Sequence, residues 1–449
     1  MFFSVVIIVF VLLVAYIHFI QGFFSAALST ILTIFAAAIA LGFHESVVAM
    51  IKPGKLADSA NAIILCSLFA VSYIVLRQIF DRAVPGNVRL QSTIDKIGAA
   101  LMGLVAGTCA AGIFAVAAQT TAFGPSIFGY SRYVVADKPE FSVQPDRNSR
   151  SVSRAIFDQM TSKTFEEKNV NKLLLPADDF VLGLVNTLSE GSLSGNMPLS
   201  AVHQDYLQEA FGNRVGIEVG VRRTATNLNP SAEQVTVEAI AVRDKIKSVE
   251  DSELPEIRKK IETAEAVAAY NGKEESKLAK EDLKTTKKEQ AILIIRTVFD
   301  RSATDEKNDL VRFTPASVRL VVRDAHGKAR DYFPIGTMDA WGGGTFWPNQ
   351  IDDVIYVKVG DKNGADLVFM VENRDEVLVA STDAPKKSKS DGKPAVAAQA
   401  IKAGIFLEVK RLARIDLSGK PVESGPLPAD PKIDVMRKAR LKAPPVAVQ

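Results

Sequence analysis

Four long apolar stretches in the first 120 residues constrain the fold more than any other feature of this sequence. A helix needs about 20 mostly apolar residues to cross roughly 30 Å of hydrocarbon, and each stretch reaches or approaches that length. The same region carries little charge, since residues 1–121 hold six of the 54 Lys and Arg residues and four of the 51 Asp and Glu residues. We therefore predict four transmembrane helices, over 4–20, 22–43, 60–76 and 97–118.

The first stretch is predicted to be a retained helix, not a cleaved signal peptide. It lacks a basic segment before it and a small-residue cleavage site after it. Only Gln21 and Gly22 separate it from the second stretch, so the two should form a tight helical hairpin.

The loops predict an orientation, because Lys and Arg residues favour the cytoplasmic side of a membrane. The loop between the third and fourth stretches contains more of them than the loop between the second and third. This places the amino terminus and everything after residue 120 outside the cytoplasm. The richer loop contributes Arg77, Arg82, Arg89 and Lys96, and the poorer loop contributes Lys52 and Lys55.

Small residues recur at every fourth position of the last stretch, as Ala99, Gly103, Gly107 and Ala111. Residues four apart share one face of a helix, and in lipid a face of small residues lets two backbones approach closely. Two interpretations remain open. The face packs within the four-helix bundle, or it joins two copies of the chain into a homo-oligomer.

Asp95 opens the fourth helix, and two roles are open for it. An acidic residue in the first turn suits the positive end of the helix dipole. An ionisable group beside a membrane span can instead gate or couple transport.

These residues carry a resemblance. Residues 1–125 resemble the colicin V production protein (CvpA) family through Gly22 in QGFFSAALSTIL and through STIDKIGAALMGLVAG. In that family an Asp, here Asp95, is followed by small residues four, eight and twelve positions later. The chain departs from the family where charged residues are usual near these glycines, at Gln21, Ser25, Ala26 and Ala106.

The resemblance implies a multi-pass bacterial inner-membrane protein with a role in colicin V (toxin) production or secretion. It also implies modularity, because some relatives append an extracytoplasmic domain, in certain cases a trypsin-like serine protease. That placement agrees with the orientation predicted from the loops.

The remaining chain is predicted to divide into three parts. Residues 121–214 form a juxtamembrane connector with helical segments at 151–165 and 199–211, and residues 421–449 form a disordered Pro-rich tail. Between them, 215–226 and 233–244 alternate apolar and polar residues, and further short runs are separated by turn signals, which indicates that 215–420 holds the strands of an α+β or all-β sandwich-like domain. A Lys- and Glu-rich segment at 245–289 interrupts the strands and reads as a charged helical insert. The predicted strands are 215–226, 233–244, 291–300, 317–324, 329–335, 352–359 and 365–372, with 405–415 left as either strand or helix.

The sequence favours a binding function over catalysis. The histidines after the membrane region, His203 and His326, are interpreted as structural or solvated, and a serine-protease motif does not surround any serine. Cys66 and Cys109 lie in apolar stretches and do not predict a metal site, and no cofactor is expected. The WGGGTFW segment is either a loop that packs on the core or a partner-binding loop, formed by Trp341, Phe346 and Trp347.

The leading hypothesis is therefore a non-enzymatic membrane protein that anchors an extracytoplasmic partner-binding domain. Its predicted partners are membrane lipid and an envelope protein or peptide. A nucleic-acid partner is not expected, because the net charge is only +3. The alternatives are a transporter or channel component and a membrane-bound envelope hydrolase.

Overall fold

A computed structural model describes most of the helices and strands of the chain. The described residues are 2–50, 57–84, 92–121, 126–135, 165–167, 173–190, 198–218, 232–243, 245–246, 283–284, 290–303, 310–324, 326–338, 346–348, 355–358, 364–380, 399–410 and 413–423. The chain divides into two compact units, the first formed by Met1–Val134 and Glu167–Glu218, and the second by Val135–Glu166 and Val219–Gln449.

The first unit is built on four long helices, and each is long and apolar enough to cross a membrane. The prediction of four such helices is confirmed, and the chain is a membrane protein by this criterion. Large apolar side chains remain exposed along all four helices, as expected of surfaces that face lipid. The helices are α1 (Phe2–Gln21), α2 (Phe23–Ala49), α3 (Ala57–Ala83) and α4 (Ser92–Gln119).

The unit continues in three shorter helices after the membrane helices. They are α5 (Ala177–Glu190), α6 (Leu199–Val202) and α7 (Tyr206–Glu218). The prediction of a strand that begins at Val215 is wrong over its first four residues, because α7 continues to Glu218. Residues 219–226 and the predicted helix at 151–164 lie outside the described residues, whereas Phe165–Glu167 forms a short strand.

The second unit is a β-sheet region, as predicted. Its largest sheet has the strand order β11-β10-β13-β6-β3, and a four-stranded sheet has the order β17-β16-β8-β9. All the strand pairs with a described register are antiparallel. The strands of the chain are β1 (Tyr133–Val135), β2 (Phe165–Glu167), β3 (Val235–Arg243), β4 (Lys245–Ile246), β5 (Leu283–Lys284), β6 (Ala291–Phe299), β7 (Leu310–Phe313), β8 (Val318–Arg323), β9 (Ala329–Tyr332), β10 (Gly336–Met338), β11 (Phe346–Pro348), β12 (Ile355–Lys358), β13 (Gly364–Val371), β14 (Leu378–Ala380), β15 (Gln399–Ile401), β16 (Phe406–Val409), β17 (Ala413–Asp416) and β18 (Pro421–Val422). One four-residue helix, α8 (Arg374–Val377), precedes β14.

The 245–289 insert connects two neighbouring strands, since β3 and β6 pair with each other. Its two ends form the short pair β4 and β5, while 247–282 and 285–289 lie outside the described residues. The 405–415 segment resolves into β16 and β17, a hairpin whose turn includes Lys410 at φ 51°. The predicted tail is wrong at its start, because Pro421 and Val422 form β18 and pair with β15. Residues 424–449 lie outside the described part.

Both large sheets contribute alternate side chains to one hydrophobic core. Leu293 of β6 and Phe369 of β13 belong to it, as do Leu320 of β8 and Leu407 of β16. This period of two explains why the strand patterns were readable from the sequence.

The opposite faces of these two sheets carry buried ion pairs. Arg296 and Asp366 are direct cross-strand partners on β6 and β13 and form two 2.8 Å hydrogen bonds. In the four-stranded sheet, Arg319 makes two 3.0 Å bonds to its cross-strand partner Glu408 and a third to Asp331.

Candidate functional site

The residues that carry the family resemblance meet at one end of the helix bundle. Gly22 joins α1 to α2 with φ 90°, in the left-handed region that glycine adopts without strain. The backbone N–H of Phe23 donates a 3.1 Å hydrogen bond to Oδ1 of Asp95 on α4. A Cβ atom at position 22 would lie 2.8 Å from Oδ2 of the same carboxylate. Asp95 therefore caps α2 across the bundle, and the close approach requires glycine at position 22.

Arg77 supplies the second set of polar contacts at this end. Its guanidinium donates hydrogen bonds to the hydroxyl oxygens of Ser29, at 2.7 Å, and Ser25, at 3.1 Å, and it pairs with Asp81 one turn along α3. These bonds tie α3 to the amino-terminal half of α2. Ser25 is one of the positions at which the chain departs from the predicted resemblance, and its hydroxyl oxygen accepts a hydrogen bond from the charged Arg77 side chain.

The small-residue face of α4 lies against α1 of the same chain. A Cβ atom at Gly103 would lie 2.8 Å from the Cα atom of Ala15, and one at Gly107 would lie 3.0 Å from the carbonyl oxygen of Val11. Ala99 and Ala111 on this face are fully buried.

A cluster of ionisable side chains forms where α2 ends and α7 begins. His203 is buried between two carboxylates: Nδ1 lies 2.5 Å from Oε2 of Glu209, and Nε2 lies 2.8 Å from Oε1 of Glu45. Burial alone would lower the pKa of His203, but the two carboxylates outweigh it and raise the pKa from 6.5 to about 9. His203 is therefore a charged clamp between α2 and α7 at neutral pH.

Further polar contacts surround this clamp. Nε2 of His44 lies 2.7 Å from the hydroxyl oxygen of Tyr206, and the hydroxyl of Tyr133 donates a 2.9 Å bond to Asp205. Burial raises the pKa of Asp205. The contacts hold the end of α2 and the 126–135 segment against the α6–α7 region.

A second buried group links the end of α4 to α5. Gln119 donates a 2.9 Å bond to Asp178, and Arg132 donates a 2.7 Å bond to Asp179. Burial raises the pKa of Asp178. Nearby, burial lowers the pKa of the Arg214 guanidinium to about 10.

The His203 clamp makes stability depend on pH. Because the folded-state pKa exceeds the unfolded value of 6.5, the clamp contributes its full stabilisation below pH 6.5 and loses it as the pH rises through about 9. We expect the thermal midpoint of the detergent-solubilised protein to fall over this window, and to fall less in His203→Gln. Groups such as lysine and tyrosine titrate in both proteins, so the difference between the two slopes is the measured quantity. Parallel slopes would contradict the clamp.

The remaining candidate residues belong to the second unit. Phe346 and Trp347 belong to β11, an edge strand of the five-stranded sheet as far as the described residues define it, and Trp341 lies outside the described residues. His326 is exposed at the β8–β9 hairpin turn. Within the described segments, no group of three or more His, Cys, Asp or Glu residues could hold a metal ion.

Sequence reasoning missed the His203 clamp and interpreted its histidine only as structural or solvated. One signal pointed to it, since Glu45 is one of four acidic residues in the first 121 and had no predicted partner.

The fold and these contacts define the class as a multi-pass membrane protein with a four-helix bundle and a separate β-sheet unit. Neither a family model, nor a curated protein, nor a solved structure matches the chain. The resemblance to the CvpA family therefore stays a prediction.

Proposed function

We propose that this chain is a non-enzymatic anchor of the bacterial inner membrane. Its four helices hold a β-rich, sandwich-like domain on the extracytoplasmic side, where that domain binds an envelope protein or peptide. Through the resemblance to the CvpA family, the process would be colicin V (toxin) production or secretion.

One observation carries the anchor role. Gly22 and Asp95, the two residues that best mark the resemblance, meet in a helix cap, with the N–H of Phe23 bound to the Asp95 carboxylate. A carboxylate used to cap a neighbouring helix stabilises the bundle, and this contact makes Asp95 a structural element of it. The motif thereby supports a scaffold more directly than a transport or catalytic step.

The proposed orientation is supported by the charges at the same end of the bundle. Arg77 and Arg82 lie in the last two turns of α3, and Lys96 lies in the first two turns of α4, with its ammonium 5.7 Å from the centre of the Phe19 ring. These cations belong on the cytoplasmic side. The opposite end, where α4 finishes, would then face the periplasm.

A non-enzymatic role also agrees with the environment of His203. Both ring nitrogens contact carboxylates, Nδ1 with Glu209 and Nε2 with Glu45. A histidine that activates a serine needs one nitrogen directed at the hydroxyl. His203 is occupied on both sides and serves as a clamp.

The proposed partner surface is the edge of the five-stranded sheet at β11. An extended peptide can add a strand to such an edge through backbone hydrogen bonds. The aromatic residues Phe346 and Trp347 lie on this strand, and the glycine-rich segment of WGGGTFW precedes it.

Two linked experiments test the proposal in the native membrane. A reporter active only in the periplasm, fused after residue 150, should be active, and the same reporter fused after Ala83 should be inactive; the reverse pattern would overturn the orientation. A photo-crosslinking residue at Trp347 should then capture one defined envelope protein. The same residue at His326, on the exposed β8–β9 turn, is the matched control. Equal capture at both positions would contradict a specific partner surface.

A further inference from the structure

A two-residue turn at the start of the periplasmic segment, the aromatic turn (Ile127–Tyr130), has an unusual conformation. Ile127 and Tyr130 exchange two backbone hydrogen bonds of 2.7 and 2.8 Å. Between them, Phe128 and Gly129 both have positive φ, at 48° and 76°. Such turns normally use Gly, Asn or Asp at these positions, because the left-handed conformation is unfavourable for a residue with a Cβ atom. A phenylalanine at this position therefore requires a compensating interaction.

The neighbours of Phe128 hold the turn in place but leave Phe128 itself uncovered. The Tyr130 ring is buried and stacks on Phe3 of α1, with 5.3 Å between ring centres. The Phe128 side of the turn points outward: the residue is 74% exposed, and its only ring contact among the described residues is the edge of Phe2, at 6.1 Å. Phe2 is itself 64% exposed.

The exposed pair is continuous with the surface of α1 that faces lipid. Phe2 opens α1, and the exposed apolar side chains of that helix extend from it along the span, through Val5, Val6, Val9, Leu12, Leu13 and Tyr16. Twenty helical residues cover about 30 Å, the thickness of the hydrocarbon layer. Phe2 therefore lies at the boundary between hydrocarbon and headgroups, and Phe128 lies beside it.

We infer that Phe128 inserts into the outer boundary of the bilayer and anchors the aromatic turn in lipid. This inference rests on the membrane anchor proposed above. Burial of a phenylalanine side chain in hydrocarbon is favourable and offsets the cost of its backbone conformation. The side chain has no polar group that would hold it at the headgroup level, so its ring belongs among the upper acyl carbons.

A further exposed residue extends the same boundary. Leu174 is 65% exposed beside Leu173, which packs in one cluster with Phe3 and Tyr130. This makes lipid a better occupant than a folded partner, since the patch is an extension of the span surface.

The test uses tryptophan fluorescence in the full-length protein reconstituted in vesicles of phosphatidylcholine. The chain has two tryptophans, so Trp341→Phe and Trp347→Phe remove the background. Phe128→Trp is then compared with Tyr16→Trp, on the exposed face of α1, and with His326→Trp, on the exposed β8–β9 turn. Brominated lipids quench only tryptophans that contact the bilayer, and iodide quenches those in water.

We expect brominated lipid to quench Phe128→Trp as strongly as Tyr16→Trp, most with bromine near the headgroup end of the acyl chain. Iodide should quench only His326→Trp. If Tyr16→Trp is quenched but Phe128→Trp responds to iodide alone, the lipid contact is wrong and the membrane anchor stands. If brominated lipid does not quench Tyr16→Trp either, the membrane anchor itself is wrong. A third outcome is that neither quencher reaches the tryptophan of Phe128→Trp and that this protection is lost when the protein is diluted in lipid. A second copy of the chain would then cover the residue, and the lipid contact would be wrong.

Discussion

Replacing Gly103 by leucine should separate α1 from α4 and cause a large loss of stability in the helical unit. The obstacle is backbone: a Cβ atom at position 103 would lie 2.8 Å from the Cα atom of Ala15, and the Cβ atom of His18 is equally close. Excess volume in a packed interior costs about 1–3 kcal/mol when side chains can move, and here the helix itself must shift. We expect a loss of at least about 3 kcal/mol, measured by thermal unfolding of the detergent-solubilised protein.

Gly42→Leu is the matched control for this substitution. Gly42 also lies within a membrane helix, but no atom lies within 4 Å of a Cβ placed there. Both substitutions add the same side chain and relieve the same helix-propensity penalty of glycine, so their difference isolates the contact with α1. Gly42→Leu should retain the wild-type unfolding midpoint or raise it slightly, because the glycine penalty is relieved without a clash. If Gly103→Leu did the same, the four-residue spacing of small residues would be incidental.

The α1–α4 contact illustrates what the sequence could predict in the membrane part. Length and apolarity identified all four helices, and the spacing of Ala99, Gly103, Gly107 and Ala111 identified a close-packing face. The partner of that face was not readable, because a stripe of small residues fits a helix of the same chain as well as a second copy. The same limit applied to the contact at the Gly22 turn. Its hydrogen bond joins Phe23 to Asp95, and these residues are 72 positions apart in the sequence.

In the β-sheet unit, the sequence predicted strands better than boundaries. Short apolar runs separated by turn signals identified β6, within 291–300, and β13, within 365–372, and each strand has one face in the common core. The strand expected from Val215 failed, because VGIE continues α7 with no turn signal between them. The apolar pattern of the strands also did not indicate which charged residues would be buried.

Arg296 is the clearest example of a buried charge that the pattern did not reveal. In AILIIRTVFD it follows five apolar residues, and nothing in the pattern marks a charged side chain there as buried, yet the residue is only 1% exposed. Its bidentate partner Asp366 is 70 residues away, and they meet because β6 and β13 are antiparallel neighbours in that register. This strand register cannot be read from a single sequence.

Arg296→Met should destabilise the β-sheet unit strongly, because it leaves the Asp366 carboxylate buried without its partner. Removal of one member of a buried ion pair typically costs about 3–5 kcal/mol. Chemical unfolding of the full chain, followed by a probe of the β unit such as Trp347 fluorescence, measures the loss. Arg330 supplies the control, since Arg330→Met removes partly exposed ion pairs with Glu372 and Glu376, both at 3.4 Å. That control should change stability by less than about 1 kcal/mol.

The double variant Arg296→Met/Asp366→Leu distinguishes two roles of the guanidinium: neutralising the buried Asp366 carboxylate and fixing the strand register. If the large effect arises from an uncompensated charge, the double variant should recover most of the stability that Arg296→Met loses, because apolar side chains can replace a buried pair at little cost. Ile294 and Val368, the next cross-strand pair on the same face of β6 and β13, are both buried and apolar. A double variant as unstable as the single one would show that the guanidinium is required for strand register, and not merely to neutralise Asp366.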